Sequence, residues 1–330
     1  MLGSKLLIWE QARTSRKMAE TSKFKKQLQQ SGLLVFVLLM AGVLALLSDR
    51  FLTAPNLINI LRQASINGII SVGMMLVILT AGIDLSVGSI LALTVVVTAD
   101  LMHQGVPVTL AVAAGLGIGG SLGFINGLLV SKVRVPPFIA TLGMMSFARG
   151  LALAYTGGKP ITGLDEGFRF LGTGVVASIP MPVIIAFFVL LVGYLLLDKT
   201  RIGTYLYALG ENREAAYFSG IATGFYTKFV YTASGMLAAL AGMILIARLD
   251  SAQPVIGRGY EFDAIAAVVI GGTSLAGGEG KISGTLLGVL IIAMLNNGLN
   301  LINVSSFYEQ IVKGVVIALA LILHGLVRKL

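Results

Sequence analysis

Asp84, Arg149 and Lys313 are the ionisable residues that fall within or beside the long apolar runs of this 330-residue chain. A charge at membrane depth is costly and marks a path for solute or ion, unless it lies near a helix end and reaches back to water. Amides are more prominent. Asn296, Asn297 and Asn300 stand at i, i+1 and i+4, so Asn296 and Asn300 share a helix face, and Asn67 and Asn126 add two more. Such amides hydrogen-bond a hydroxylated solute or link helices, at about 0.6–2 kcal/mol per interhelical bond. These six residues, Asp84 and the five amides, are the candidate pathway residues. Other chemistries lack their parts. There is no cysteine, hence no disulfide, thiolate metal site or thiol nucleophile. His103 and His324 are too far apart for a metal motif, and no cofactor or catalytic site is expected. No Asp/Glu/His series offers a proton relay. The glycine run Gly277–Lys281, GGEGK, is followed by Ile282 where a phosphate-binding loop needs Ser or Thr, so the chain is not expected to bind ATP.

The elements that must hold these residues are apolar helices. The chain is 56% hydrophobic and 12% charged, with a mean hydropathy of +0.91. Soluble domains carry about a quarter charged residues, so this surface belongs in lipid. Ten apolar segments stand out, near 32–48, 63–82, 86–102, 108–130, 138–156, 181–197, 228–247, 263–276, 282–302 and 308–326. The expected fold is an all-α polytopic membrane protein of about ten transmembrane helices, some broken or short; eight spans is the alternative. The eighth segment is too short to cross, and the second and third are almost contiguous. With the N-terminus inside, sixteen basic residues fall on the inner side and six on the outer. That asymmetry follows the positive-inside rule and puts both termini in the cytoplasm. The net charge of +9 thus reads as topology rather than nucleic-acid binding. Residues 1–30 form a basic cytoplasmic tail, with a short interfacial helix expected at Lys5–Glu10 and Trp9 at headgroup level. Residues 31–330 form the membrane domain.

Glycine is placed with purpose. Gly115, Gly119, Gly123 and Gly127 recur every fourth residue and share one helix face, suited to close packing in lipid. Two glycine-rich interruptions, at 80–89 and 271–284, separate apolar runs. They are either half-helix breaks at membrane depth, tolerated where they line a cavity, or tight cytoplasmic turns with Asp84 as a cap.

The loop 198–227 is the longest inner segment after the tail and carries both signs of charge. Asn212 can cap a helix over Arg213–Ser219, Glu214 suits its first turn, and Gly220 can end it. Such a helix presents Ala215, Ala216, Tyr217 and Phe218 to a peripheral partner.

The stretch ALGENREAAYFSGI resembles the coupling loop of permease subunits in bacterial ATP-binding-cassette importers of the monosaccharide-carrying branch. TAGIDLSVGSILALT, SAQPVIGRGYEFDAIAAVVIGGTSLAGGEGKISGT and LNNGLNLINVSSFY resemble that branch too, ribose carriers in particular, over residues 33 to 327. The resemblance implies a bacterial inner-membrane permease that forms a homodimer. It implies a cytoplasmic ATPase below, gripping Arg213, Glu214, Ala215, Ala216 and Gly220, and a periplasmic sugar-binding protein above. An ion-coupled secondary sugar transporter and an integral membrane enzyme are the competing classes. The first needs buried carboxylates, which are scarce; the second needs a catalytic set, which is missing.

Overall fold

The computed structural model describes residues 32–305 and, beyond them, 308, 310–312, 314, 315 and 318. The tail with its Lys5–Glu10 helix, Lys313 and most of the tenth apolar segment lie outside the described residues. The architecture is helical. The elements are α1 (Gly32–Leu47), α2 (Ala54–Leu79), α3 (Val87–His103), α4 (Val108–Leu128), α5 (Pro137–Thr156), α6 (Glu166–Thr173), α7 (Met181–Lys199), α8 (Arg201–Glu211), α9 (Arg213–Phe218), α10 (Thr223–Leu249), α11 (Tyr260–Ile270) and α12 (Ile282–Leu301). Residues 308, 310–312, 314, 315 and 318 are helical as well. Among the described residues, six helices are long and apolar enough to cross a membrane: α2, α4 with its π-helical extension to Val133, α5, α7, α10 and α12. Two shorter apolar helices, α1 and α3, join them. At 1.5 Å per residue, the eleven residues of α11 reach about 16 Å, half a bilayer core.

Burial separates the helices into two kinds. α2, α3 and α10 form the middle: from Ile66 to Leu79 every residue of α2 is buried, and Tyr231 of α10 is the largest fully buried side chain. α1, α5 and α7 are as apolar but expose long residues such as Leu46, Phe147 and Phe188, the outward faces that lipid would cover. α4 lies along α10 through its glycines. A Cβ on Gly119 would lie 2.5 Å from the Gly235 carbonyl oxygen, and one on Gly127 would lie 2.6 Å from Lys228 Cα; Gly123 abuts the Tyr231 carbonyl. Gly115 faces Thr98 of α3 and Met243 of α10. At Gly119, Gly123 and Gly127 the backbones of α4 and α10 meet directly.

The 157–180 excursion is tied down by a two-residue antiparallel pair, β1 (Ile161–Thr162) with β4 (Ser251–Ala252), and ends in a small hairpin, β2 (Val175–Val176) with β3 (Ile179–Pro180). Asp250 accepts the Leu164 amide at 2.8 Å and pairs with Arg169 at 3.7 Å. The 198–227 segment holds more structure than the single short helix expected there. α8 precedes α9, and Thr200 caps it by accepting from the Gly203 amide.

Candidate functional site

The starts of α3 and α11 and the second half of α5 converge on a cavity of about 1080 Å³, with polar lining from Ser89 of α3, Ser146 and Arg149 of α5, and Tyr260, Glu261 and Asp263 of α11. Arg258, Phe262 and Gln310 add to its wall, with Met145 and Leu153 of α5 as its apolar part. The convergence depends on glycine. Gly88, in the first turn of α3, lies against the Gly257 carbonyl and Glu261, and Gly257 (φ +77°) packs back on Gly88. Arg149 then fastens the two segments. Its guanidinium donates to the carbonyls of Pro254 (2.7 Å), Ile256 (2.8 Å) and Gly88 (3.0 Å). Glu261, 8% exposed, accepts the Gly259 amide at 3.2 Å, and Asp263 accepts from Asn296 of α12 at 3.2 Å. Both carboxylates sit in the first turn of α11, where the helix dipole favours them. A wall that offers carboxylate acceptors, guanidinium donors, hydroxyls and two aromatic rings matches a neutral polyhydroxylated solute. Among the described residues no group of three or more His, Cys, Asp and Glu is placed to hold a metal.

The break between α2 and α3 is a second polar centre. Asp84 is fully buried. It accepts from the Ser86 amide (3.0 Å), the Ser86 hydroxyl and the Ser234 hydroxyl of α10 (2.9 Å). Asn126 of α4 donates to the Ser86 hydroxyl at 2.9 Å. Asp84, Leu85 and Ser86 are therefore packed inside the protein, with Asp84 bonded to α10 and Ser86 to α4, while Ala81, just past the end of α2, is exposed.

The amides divide by role. Asn297 exchanges two hydrogen bonds with Asn56 of α2 (2.8 and 3.0 Å), joining helices. Exposed Asn300 donates to the carbonyl of Asn296 in its own helix. Asn67 is buried on α2. None of these residues, nor Asp84 or Asn126, lines the cavity; Asn296 reaches its edge through Asp263. The lining carboxylates Glu261 and Asp263, with Arg258, were missed in the sequence. They stand at the very start of the eighth apolar segment, where a hydropathy reading takes charge for a boundary.

On the other side of the fold, α9 stands with Asn212 accepting the Ala215 amide at 2.9 Å. Arg213, Glu214 and Ala215 are exposed, Ala216 is buried, and Tyr217 and Phe218 are 64% and 77% exposed. Gly220 closes the helix at φ +82°, with open space where a Cβ would go.

Residues 56–321 match the family described as the branched-chain amino acid transport system permease component. The chain is 50% identical over 305 residues to the ribose import permease protein of Escherichia coli (strain K12), covering 91% of this chain and 95% of that one. It is 49% identical over 316 residues to the ribose import permease protein of Bacillus subtilis (strain 168), covering 95% and 97%. The galactose/methyl galactoside import permease protein of E. coli K12 is 36% identical over 322 residues, covering 92% and 96%. No solved structure matches.

Proposed function

The chain belongs to the family of branched-chain amino acid transport system permease components, and on that premise we propose that it is the membrane-spanning subunit of an ATP-driven importer that carries ribose into the cytoplasm. The observation that carries this reading is identity near one half with ribose import permeases of two distant bacteria, over more than nine-tenths of the chain. The 36% identity to a galactoside permease fits the same class of cargo at a greater distance. The absence of a phosphate-binding loop assigns hydrolysis to a separate ATPase, and the ion-coupled alternative has no support in these relatives.

The arrangement supports particular roles. The cavity walled by α3, α5 and α11 is the sugar's route, with Asn296 beside it. Asp84 and Asn126 hold the break that shapes it, and Asn67, Asn297 and Asn300 stand on the helices behind. Arg213, Glu214, Ala215 and Gly220, with Tyr217 and Phe218 beside them, form the exposed surface that the ATPase grips; Ala216, expected on that surface too, is 4% exposed and faces into the protein instead. Two copies of the chain form the membrane unit of a bacterial inner membrane, with residues 1–30, the 198–227 segment and the C-terminus in the cytoplasm. A periplasmic sugar-binding protein docks outside.

The test is reconstitution of the chain with its co-expressed ATPase and binding protein in liposomes. ATP-dependent accumulation of ribose, abolished when the ATPase or the binding protein is omitted, is the expected result. Uptake driven by a proton or sodium gradient without ATP overturns the reading.

A further inference from the structure

α8, which links α7 to the exposed helix α9, touches the end of α2, where the 80–89 interruption begins, and the 271–284 interruption at once. Gly210, next to the last residue of α8, packs directly on the Leu79 carbonyl at the end of α2 and on the Gly278 amide; any Cβ there would coincide with them. The Gly278 amide itself donates to the Leu79 carbonyl at 3.0 Å, satisfying one of the carbonyls that a helix end leaves open. Gly277 and Gly278 manage this approach at φ +86° and +74°, a region that favours glycine. A Cβ on Gly277 would stand 2.9 Å from the Ala81 amide. One turn earlier on α8, Tyr207 donates its hydroxyl to the Gly280 carbonyl at 2.9 Å. Burial, with Asp198 adding to it, pushes that hydroxyl up to about 12, so it stays a donor at any physiological pH.

The two turns that meet α8 are closed on themselves. Within 271–281, the Ser274 amide donates to the Glu279 carbonyl at 2.9 Å and the Gly277 amide to the Ser274 carbonyl at 3.0 Å. Within 80–86, Asp84 holds the Ser86 amide and hydroxyl. Each turn is therefore internally braced, and the 80–86 turn is also held by Ser234 of α10 and Asn126 of α4. Each turn also leads to the cavity. α11 runs from the 271–281 turn to Tyr260, Glu261 and Asp263, and α3 runs from the 80–86 turn to Ser89.

We propose that Tyr207 and Gly210 are positioning residues of the transport cycle: they deliver the movement of the ATPase-gripped α9 through both turns to the cavity wall. The proposal rests on the importer reading. In it, the half-length α11 and the start of α3 are the moving wall, and α8 is the lever that reaches them.

The chain has no cysteine, so one placed at Phe262, half-exposed on the cavity wall, reports without background. The complex carrying Phe262→Cys is labelled with a maleimide with and without ATP plus vanadate. Nucleotide is expected to change the labelling rate in the otherwise unaltered complex. Tyr207→Phe removes only the bond to Gly280 and is expected to shrink that change by about fivefold, the worth of one ordinary hydrogen bond. The ATPase should still co-purify and hydrolyse ATP, with less ribose carried per ATP. Tyr205→Phe, on the same helix but with its ring edge-to-face with Tyr226, should leave both readouts as they were. Gly210→Ala should act like Tyr207→Phe, more strongly. Unchanged labelling and coupling in Tyr207→Phe overturns the proposal, as does equal loss in Tyr205→Phe or loss of the ATPase from Tyr207→Phe. A nucleotide response without ribose uptake overturns only the ribose assignment. A chain that recovers no ATPase overturns the importer reading and the junction together.

Discussion

Arg149 holds three carbonyls from two segments with one side chain. The planar fork does this because it presents parallel donors; an ammonium is a single point charge. Arg149→Lys should keep the charge but lose at least one bond, each worth about 1.5–3 kcal/mol for an ionised donor. Arg149→Gln should lose more, leaving the carbonyls of Pro254, Ile256 and Gly88 short of partners. The expected order of unfolding midpoints in detergent is wild type, then Lys, then Gln. Equal midpoints for Lys and wild type would mean that the fork is not what holds the wall. Gly220 presents the reverse case. Open space surrounds it, so its identity is set by backbone alone. Gly220→Asn, tolerant of a left-handed backbone, should keep uptake. Gly220→Val should strain the end of α9 by at least the roughly 1–2 kcal/mol per residue that an L side chain loses there. Normal ribose uptake in the Val variant removes the conformational argument.

At the level of elements, α4 offers an internal control. Gly119 meets α10 backbone, whereas Gly117, two residues away, is exposed with nothing within 4 Å of a Cβ. Gly119→Leu should force α4 off α10 and lower the yield of intact protein severalfold, and Gly117→Leu should be silent. Equal yields would mean that close approach contributes nothing. This four-residue ladder was legible in the sequence because its period is the helix period. The α9 cap was legible for a similar reason, since Asn212 and Gly220 are local signals. What stayed hidden depends on partners distant in sequence. α2 starts at Ala54, nine residues before its apolar segment. Its first turns carry Asn56, Asn59 and Arg62, which lower any hydropathy window, yet Asn56 is paired with Asn297 and Asn59 accepts from Arg248 at 2.7 Å. α8 was hidden because, beyond its neighbours α7 and α9, it packs on the end of α2 and the 271–281 turn, over sixty residues away on either side. The cavity was hidden because α3, α5 and α11 meet there only after folding.

For the whole molecule, one geometric consequence joins these elements. α8, α9 and the two turns lie at one end of the long helices, and the β1–β4 pair, α6 and the α3–α4 turn lie at the other. Basic residues cluster at the α8 end in the sequence, so by the positive-inside rule we propose that this end faces the cytoplasm. The orientation predicts opposite labelling at two exposed positions, Thr204 on α8 and Gln104 at the α3–α4 turn. In intact cells an impermeant maleimide should react with Gln104→Cys and leave Thr204→Cys untouched; in inverted vesicles the pattern should reverse. The same preparation tests the route of energy. ATP added outside inverted vesicles reaches the face that carries α9, so it should move ribose only from the lumen to the bath, and only when binding protein is sealed within. With binding protein and ribose enclosed, ATP should empty the vesicles of ribose. Labelling of Thr204→Cys from outside intact cells would invert the molecule. It would place α9 where no cytoplasmic ATPase can reach it, and the importer mechanism would fail with the topology.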